Sequence, residues 1–113
     1  MSIQEFINKY NLHDSLIDTV SYNCDENIVE MHLDFAFWMQ EWYSDNMDET
    51  GVLKVMFNNV TVFDCPQEAP WEQISIIQAS ANEDGIKVAL MNDITDDYLE
   101  INIKCDSITV FFN

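Results

Sequence analysis

From residue 29 to residue 35 apolar and polar positions alternate without a break, and Phe37 keeps the phase. Val29, Met31, Leu33, Phe35 and Phe37 fall on one side; Glu30, His32 and Asp34 fall on the other. Successive side chains of a strand point to opposite faces, so this period of two predicts a strand with one face in a core and one in water. Upstream, Leu16, Val20 and Tyr22 alternate about Asp18, and Cys24-Asp25-Glu26-Asn27 supplies turn chemistry. Residues 15–37 therefore predict a β-hairpin. The first ten residues keep a different period. Ile3, Phe6, Ile7 and Tyr10 recur at i, i+3, i+4, i+7 behind Ser2 and Glu5, a capping-box pair. This predicts a short amphipathic helix over 3–10, stopped at Asn11.

The alternation fails over residues 38–51, which predict a long loop or a loop carrying one helical turn. Strand character returns at 52–63, with Asn58-Asn59 as a bulge or a tight turn. Residues 64–73 hold both prolines and form a connector. "ISIIQASA" at 74–81 is β-branched enough to favour a strand. "NEDG" at 82–85 is a hairpin-type turn into a strand at 86–91. Residues 92–97 turn again, "YLEINIKC" alternates, and "ITVFF" closes the chain as a last strand. Strands that follow one another without intervening helices pair antiparallel rather than as βαβ units. The expected fold is one domain over 1–113, α+β or mostly β. Its curved antiparallel sheet has six or seven strands, with one N-terminal helix packed against it.

Composition changes the picture in one respect. Hydrophobic residues make up 48% of the 113, and aromatics 12%, enough for a core and unlike a disordered acidic chain. Yet 21 Asp and Glu stand against four lysines and no arginine, a formal charge of −17. Phosphate contacts need Lys and Arg, so nucleic acid is an unsuitable partner, and an anionic membrane surface is disfavoured for the same reason. Cations fit, either metal ions or a basic protein. Only two glycines are present, where average usage gives about eight, so Asn and Asp must carry the turns. Three widely spaced cysteines, Cys24, Cys65 and Cys105, imply buried free thiols in a reducing compartment. The N-terminus has no signal-peptide pattern and no apolar run is long enough to span a bilayer, so a cytoplasmic protein is expected.

His13-Asp14-Ser15 contains the residue types of a hydrolytic triad. A triad converges from separated chain positions, however, and three consecutive side chains point in different directions. No G-x-S-x-G elbow presents a nucleophile. Asp14 and Ser15 fit an Asx or Ser/Thr turn at the entry to a strand, with His13 held by a backbone or carboxylate partner. The motif is thus structural, or part of a contact surface.

"LHDSLIDTVSYN", followed by a strand ending in "MHLDFAFW", resembles a pattern found in small, largely uncharacterised bacterial proteins, some of them immunity proteins of polymorphic toxin systems. The resemblance spans residues 11–38. It implies a compact β-rich domain that acts as a neutralising partner, and it transfers no catalytic or binding residue.

Metal binding finds little support in the spacing. EF-hand loops begun at Asp45 or Asp93 lack the required residues at positions 6 and 12. Glu30, His32 and Asp34 share a strand face where a surface zinc site is conceivable, but two histidines make a thin ligand set, and no metal or cofactor is assigned. Trp38, Trp42 and Tyr43 stand among Glu41, Asp45, Asp48 and Glu49. These rings either cap the open end of the core or form a binding surface whose acidic rim steers a basic partner.

The function expected from the chain is a non-enzymatic acidic binding protein, in its most specific form an immunity or inhibitor protein against a basic toxin. Its contact residues are Trp42, Tyr43, Asp45, Asp48 and Glu49, with Asp93, Asp96 and Asp97 as a second acidic loop. One alternative is a small hydrolase or metal-dependent domain using His13, His32 and carboxylates. Another is an accessory domain whose acidity serves solubility alone.

Overall fold

The structure is a computed structural model that describes residues 1–68 and 70–112. Helix α1 (Ile3–Lys9) begins where the pattern places it. Ser2 Oγ accepts from the Glu5 N–H at 3.1 Å while the Glu5 carboxylate accepts from the Ser2 N–H at 3.2 Å, the reciprocal capping box. Eight strands follow: β1 (Leu16–Asn23), β2 (Ile28–Ala36), β3 (Thr50–Asn58), β4 (Val62–Asp64), β5 (Ile74–Ala81), β6 (Gly85–Asn92), β7 (Tyr98–Lys104) and β8 (Ser107–Phe112). All belong to one open antiparallel sheet of order β4-β7-β6-β5-β1-β2-β3-β8. The fold is mostly β with one N-terminal helix, as expected, and has slightly more strands than expected. The extra strand arises because residues 52–63 divide at Asn59, whose φ of 53° turns the chain.

Connectivity forces this sheet to fold over. Five strands separate β7 from β8, which in a flat sheet is six spacings, about 29 Å. Only Cys105 and Asp106 join the two strands, a reach of about 11 Å. The β4-β7-β6-β5 half must therefore lie against the β1-β2-β3-β8 half. Contacts confirm it: the Tyr22 and Phe63 rings, from β1 and β4, are 5.2 Å apart, and the Asp106 N–H donates to Asn58 O at 3.0 Å. Between the halves Ile86, Val88, Leu90, Ile101 and Ile103 meet Val29, Leu33, Phe35, Leu53, Val55 and Ile108, all buried. Helix α1 contacts β5 and β8 and seals one side with Phe6 and Tyr10.

Bulges make the fold-over possible, because an extra residue bends and twists its strand. β1 and β5 meet only at their starts, with Leu16 opposite Ser75, and each is irregular beside that junction, β1 between Ile17 and Thr19 and β5 between Ile76 and Gln78. The first of these corrects the expected phase of β1. Leu16 lies beside Asp34 on the outer face, Ile17 is buried opposite Leu33, and only beyond unmatched Asp18 do Val20 and Tyr22 turn inward, opposite Met31 and Val29. Phe37, expected as the last residue of the alternation, instead starts a 3-10 turn (Phe37–Met39) and is half-buried.

Asn and Asp do carry turns: Asp14, Asn27, Asn59 and Asp96 have φ of 64°, 57°, 53° and 61°, joined among the described residues only by Gln73 at 55°, and neither glycine has positive φ. These side chains tolerate the left-handed region better than other non-glycine residues. The cysteines are free, but their burial corrects the expectation: Cys24 is exposed at the β1–β2 turn, Cys65 half-buried and Cys105 buried. Burial, reinforced by Asp106, pushes the Cys105 thiol up to about 11. Thiolate is the reactive form, so Cys24 should account for the whole fast phase of labelling by a thiol-specific disulfide reagent. Cys24→Ser should remove that phase, and the other two thiols should appear only in urea. Fast labelling of Cys105 in the folded protein would contradict this. Among the described residues no helix is long and apolar enough to cross a membrane.

Candidate functional site

The His13-Asp14-Ser15 segment sits on the junction between the two halves of the sheet. The Asp14 N–H donates to Ile76 O at 2.9 Å, and the Ile76 N–H donates to Ser15 O at 2.8 Å. A carbonyl can only accept, so His13 Nδ1 carries a hydrogen and donates to Ile77 O at 2.6 Å, while its Nε2 stands 3.4 Å from Asp14 Oδ1. Ser15 is fully buried, and its Oγ accepts the Ala36 N–H at 3.0 Å. The hydroxyl is therefore engaged by β2 and out of reach of any solvent-borne substrate. The arrangement is a splice that ties β1, β2 and β5 at the point where the sheet bends.

His32 lies elsewhere, on the outer face of β2. Its Nε2 is 3.1 Å from Glu30 Oε1, which also meets Lys54 Nζ at 3.1 Å. Lys54, then His32, holds the Glu30 carboxyl below the usual carboxylate range. Partial burial, then Asp34, pushes the nearby Asp18 carboxyl up, with His32 opposing. No contact joins His13 to His32, and among the described residues no group of three or more His, Cys, Asp or Glu side chains is placed to hold a metal ion. A surface cleft of about 770 Å³ runs between the N-terminus, Thr61-Val62 and the turns at 81–84 and 104–106. Neither histidine lines it or the two smaller clefts.

What the structure does assemble is an aromatic corner beside the 40–49 loop. The Trp42 ring lies 5.5 Å from Phe37, tilted by 57° to it, and Phe37 lies 5.8 Å from Phe35 and 6.3 Å from Phe112 of β8. Trp42 thus packs one side against Phe37 and remains 45% exposed. Tyr43 is half-buried, its N–H donating to Gln40 O at 3.2 Å. The loop is anchored by the buried Gln40, whose Nε2 donates to Asn11 O and Ala36 O at 2.6 and 2.9 Å and whose Oε1 accepts the Asn11 N–H at 3.0 Å. At its far end the Trp38 N–H donates to Glu49 O at 3.2 Å. Glu41, Asp45, Asp48 and Glu49 are all exposed, and among the described residues none lies in an ion pair.

The second acidic loop is not part of this corner. In the row Ser75–Leu16–Asp34, Asp93 lies one way along the strands, bonded through its N–H to Gln73 O, and Ala36 lies the other way. Asp93, Asp96 and Asp97 therefore leave the sheet at the opposite end of its strands. There Asp93 accepts from Ser75 Oγ of β5, and Asp97 accepts from Thr95 Oγ1 within its own turn. Phe112 is a residue of the corner that pattern reading assigned to no site. The signal available was the pair of phenylalanines in "ITVFF", one for each face of the strand, and only the pairing of β8 with β3 puts Phe112 beside Phe37.

No family model matches this sequence, no curated protein matches it, and no solved structure matches its fold.

Proposed function

We propose that this protein is a non-enzymatic acidic binding protein, in its most specific form an immunity or inhibitor protein that neutralises a basic toxin in the cytoplasm. The observation that carries the reading is the aromatic corner: exposed Trp42, braced on Phe37, rises from a loop of four carboxylates, none of them in an ion pair among the described residues. Tryptophan and tyrosine dominate binding hot spots because they bury large area with little loss of rotamer freedom. Carboxylates stand on turns all round the molecule, so the negative field attracts cations from every side. The rings decide where an attracted partner settles. The acids would then occupy the place of phosphates in a cationic cleft.

Co-expression with the product of a neighbouring toxin-like gene tests the reading. Rescue of growth, together with a complex that weakens as salt rises, supports it; no rescue and no salt-sensitive complex with any basic partner removes it. Within such a complex, the combined change Glu41→Gln, Asp45→Asn, Asp48→Asn and Glu49→Gln should slow association at low salt by about tenfold or more, since electrostatic steering is worth 10- to about 1000-fold. The matching change at Asp93, Asp96 and Asp97 should slow it less. Equal effects from both loops in stopped-flow measurements would show that net charge alone matters.

A further inference from the structure

Between the C-terminal end of α1 and the start of the acidic loop lies a cleft of about 150 Å³, with Ile7, Met39 and Trp42 as its apolar walls. Pockets that hold whole small molecules run from about 300 to 1,000 Å³, so this one has room for a single side chain. Gln40 fixes its shape. That residue bonds Asn11 beyond the helix and Ala36 at the end of β2, and the Tyr43 N–H closes the turn on its carbonyl. Walls already held in place lose little freedom when something enters between them.

Most of the polar lining is already engaged. Asn8 Oδ1 accepts from Gln4 Nε2 at 2.9 Å, Asn11 Oδ1 from the His13 N–H at 3.1 Å, and Gln40 Oε1 from the Asn11 N–H at 3.0 Å. Glu41 also lines the cleft, and its exposed carboxylate is in no ion pair among the described residues. Lys9, the one cation of the lining, holds its ammonium 5.8 Å from the Tyr10 ring centroid. Apolar walls, an indole and an uncommitted carboxylate suit a side chain with an apolar stem and a flat cationic head. Arginine is that side chain: its guanidinium stacks on aromatic rings and forks onto a carboxylate with two N–H bonds, which a lysine ammonium does not. Resting on the binding reading above, we propose that this cleft takes one arginine side chain of the basic partner. Its stem lies against Ile7 and Met39, and its guanidinium meets Trp42 and bonds Glu41. The acids at 45–49 draw the partner in, and the cleft sets where it locks.

The test uses the full chain, ¹⁵N-labelled at low salt, with a peptide of alternating arginine and glycine and its lysine counterpart as control. The arginine peptide should move the amide signals of Ile7 and Met39 and the indole N–H of Trp42. The lysine peptide should bind about tenfold more weakly, the loss of a forked, charge-assisted contact. Glu41→Gln should weaken the arginine peptide by about tenfold, and Asp48→Asn, which removes the same charge from the same loop, by much less. Lys9→Gln should tighten it, because a like charge leaves the rim. All three residues are exposed, so these variants keep the fold. If the arginine peptide moves only the signals of 45–49, or if both peptides bind equally well, the cleft proposal fails and the binding reading stands. If Lys9→Gln weakens binding, the cleft receives an anion and the proposal is overturned. If neither peptide binds, the proposal fails, and rescue in the co-expression experiment decides the binding reading separately.

Discussion

Gly85→Ala should cost about 3 kcal/mol of unfolding free energy or prevent folding, the top of the range for forcing extra atoms into a packed site. A Cβ built there lies 2.0 Å from Ile103 O and 2.9 Å from Ile103 C. Both are backbone atoms of β7, the strand hydrogen-bonded to β6, so no rotamer change can relieve the clash. β6 and β7 would have to part at the pairing of Gly85 with Lys104. Gly51→Ala is the contrasting case. Its Cβ meets the Phe37 ring tip at 2.3 Å, and a side chain can swing aside. That change should cost about 1 kcal/mol and disturb the Trp42 fluorescence, because Phe37 carries Trp42. Urea titration of both variants checks the pair, and a Gly85→Ala protein as stable as the parent would refute the close-approach account.

Ser15→Ala should cost about 1–3 kcal/mol, because it leaves the buried Ala36 N–H without its acceptor. For a domain of this size that is a fall of several degrees in Tm. His13→Ala removes an exposed side chain with one bond to Ile77 O and should cost about 1 kcal/mol. Asp14→Gly should be close to neutral or mildly stabilising, since φ at that position is 64°. The same three variants weigh the enzymatic alternative: residues that act as a catalytic unit lose activity together, whereas a splice loses stability unequally. Unfolding curves in which His13→Ala cost as much as Ser15→Ala would contradict the splice.

Asp14 and Ser15 were expected to bond nearby backbone in an Asx or Ser/Thr turn; instead Asn11 Oδ1 accepts the His13 N–H and Ser15 Oγ accepts the Ala36 N–H. Three adjacent side chains cannot relay a proton among themselves, and that could be said without coordinates. That Ser15 would reach across to Ala36, 21 residues away, could not. The capping box, the hairpin of β1 and β2, the turn use of Asn and Asp, and the alternation of β7 were legible because each is local: a period of two or 3.6, or a side chain bonding its own backbone. The phase of β1 was not, since a bulge at Asp18 leaves no mark in the pattern. Cys24 misled for a related reason, because a thiol in a turn has the same composition as a thiol in a core.

What the chain by itself determined is the set of elements, their antiparallel pairing class and the excess of negative charge. These follow from side-chain periodicity, turn chemistry and counting. Only the tertiary structure decided that two residues after β7 fold the sheet over on itself, that Phe37, Trp42 and Phe112 meet at one corner, and that the acids at 93–97 stand at the other end of the strands. Those facts depend on which strands become neighbours, a choice made by the sum of long-range contacts between residues far apart in sequence. No window of adjacent residues contains it.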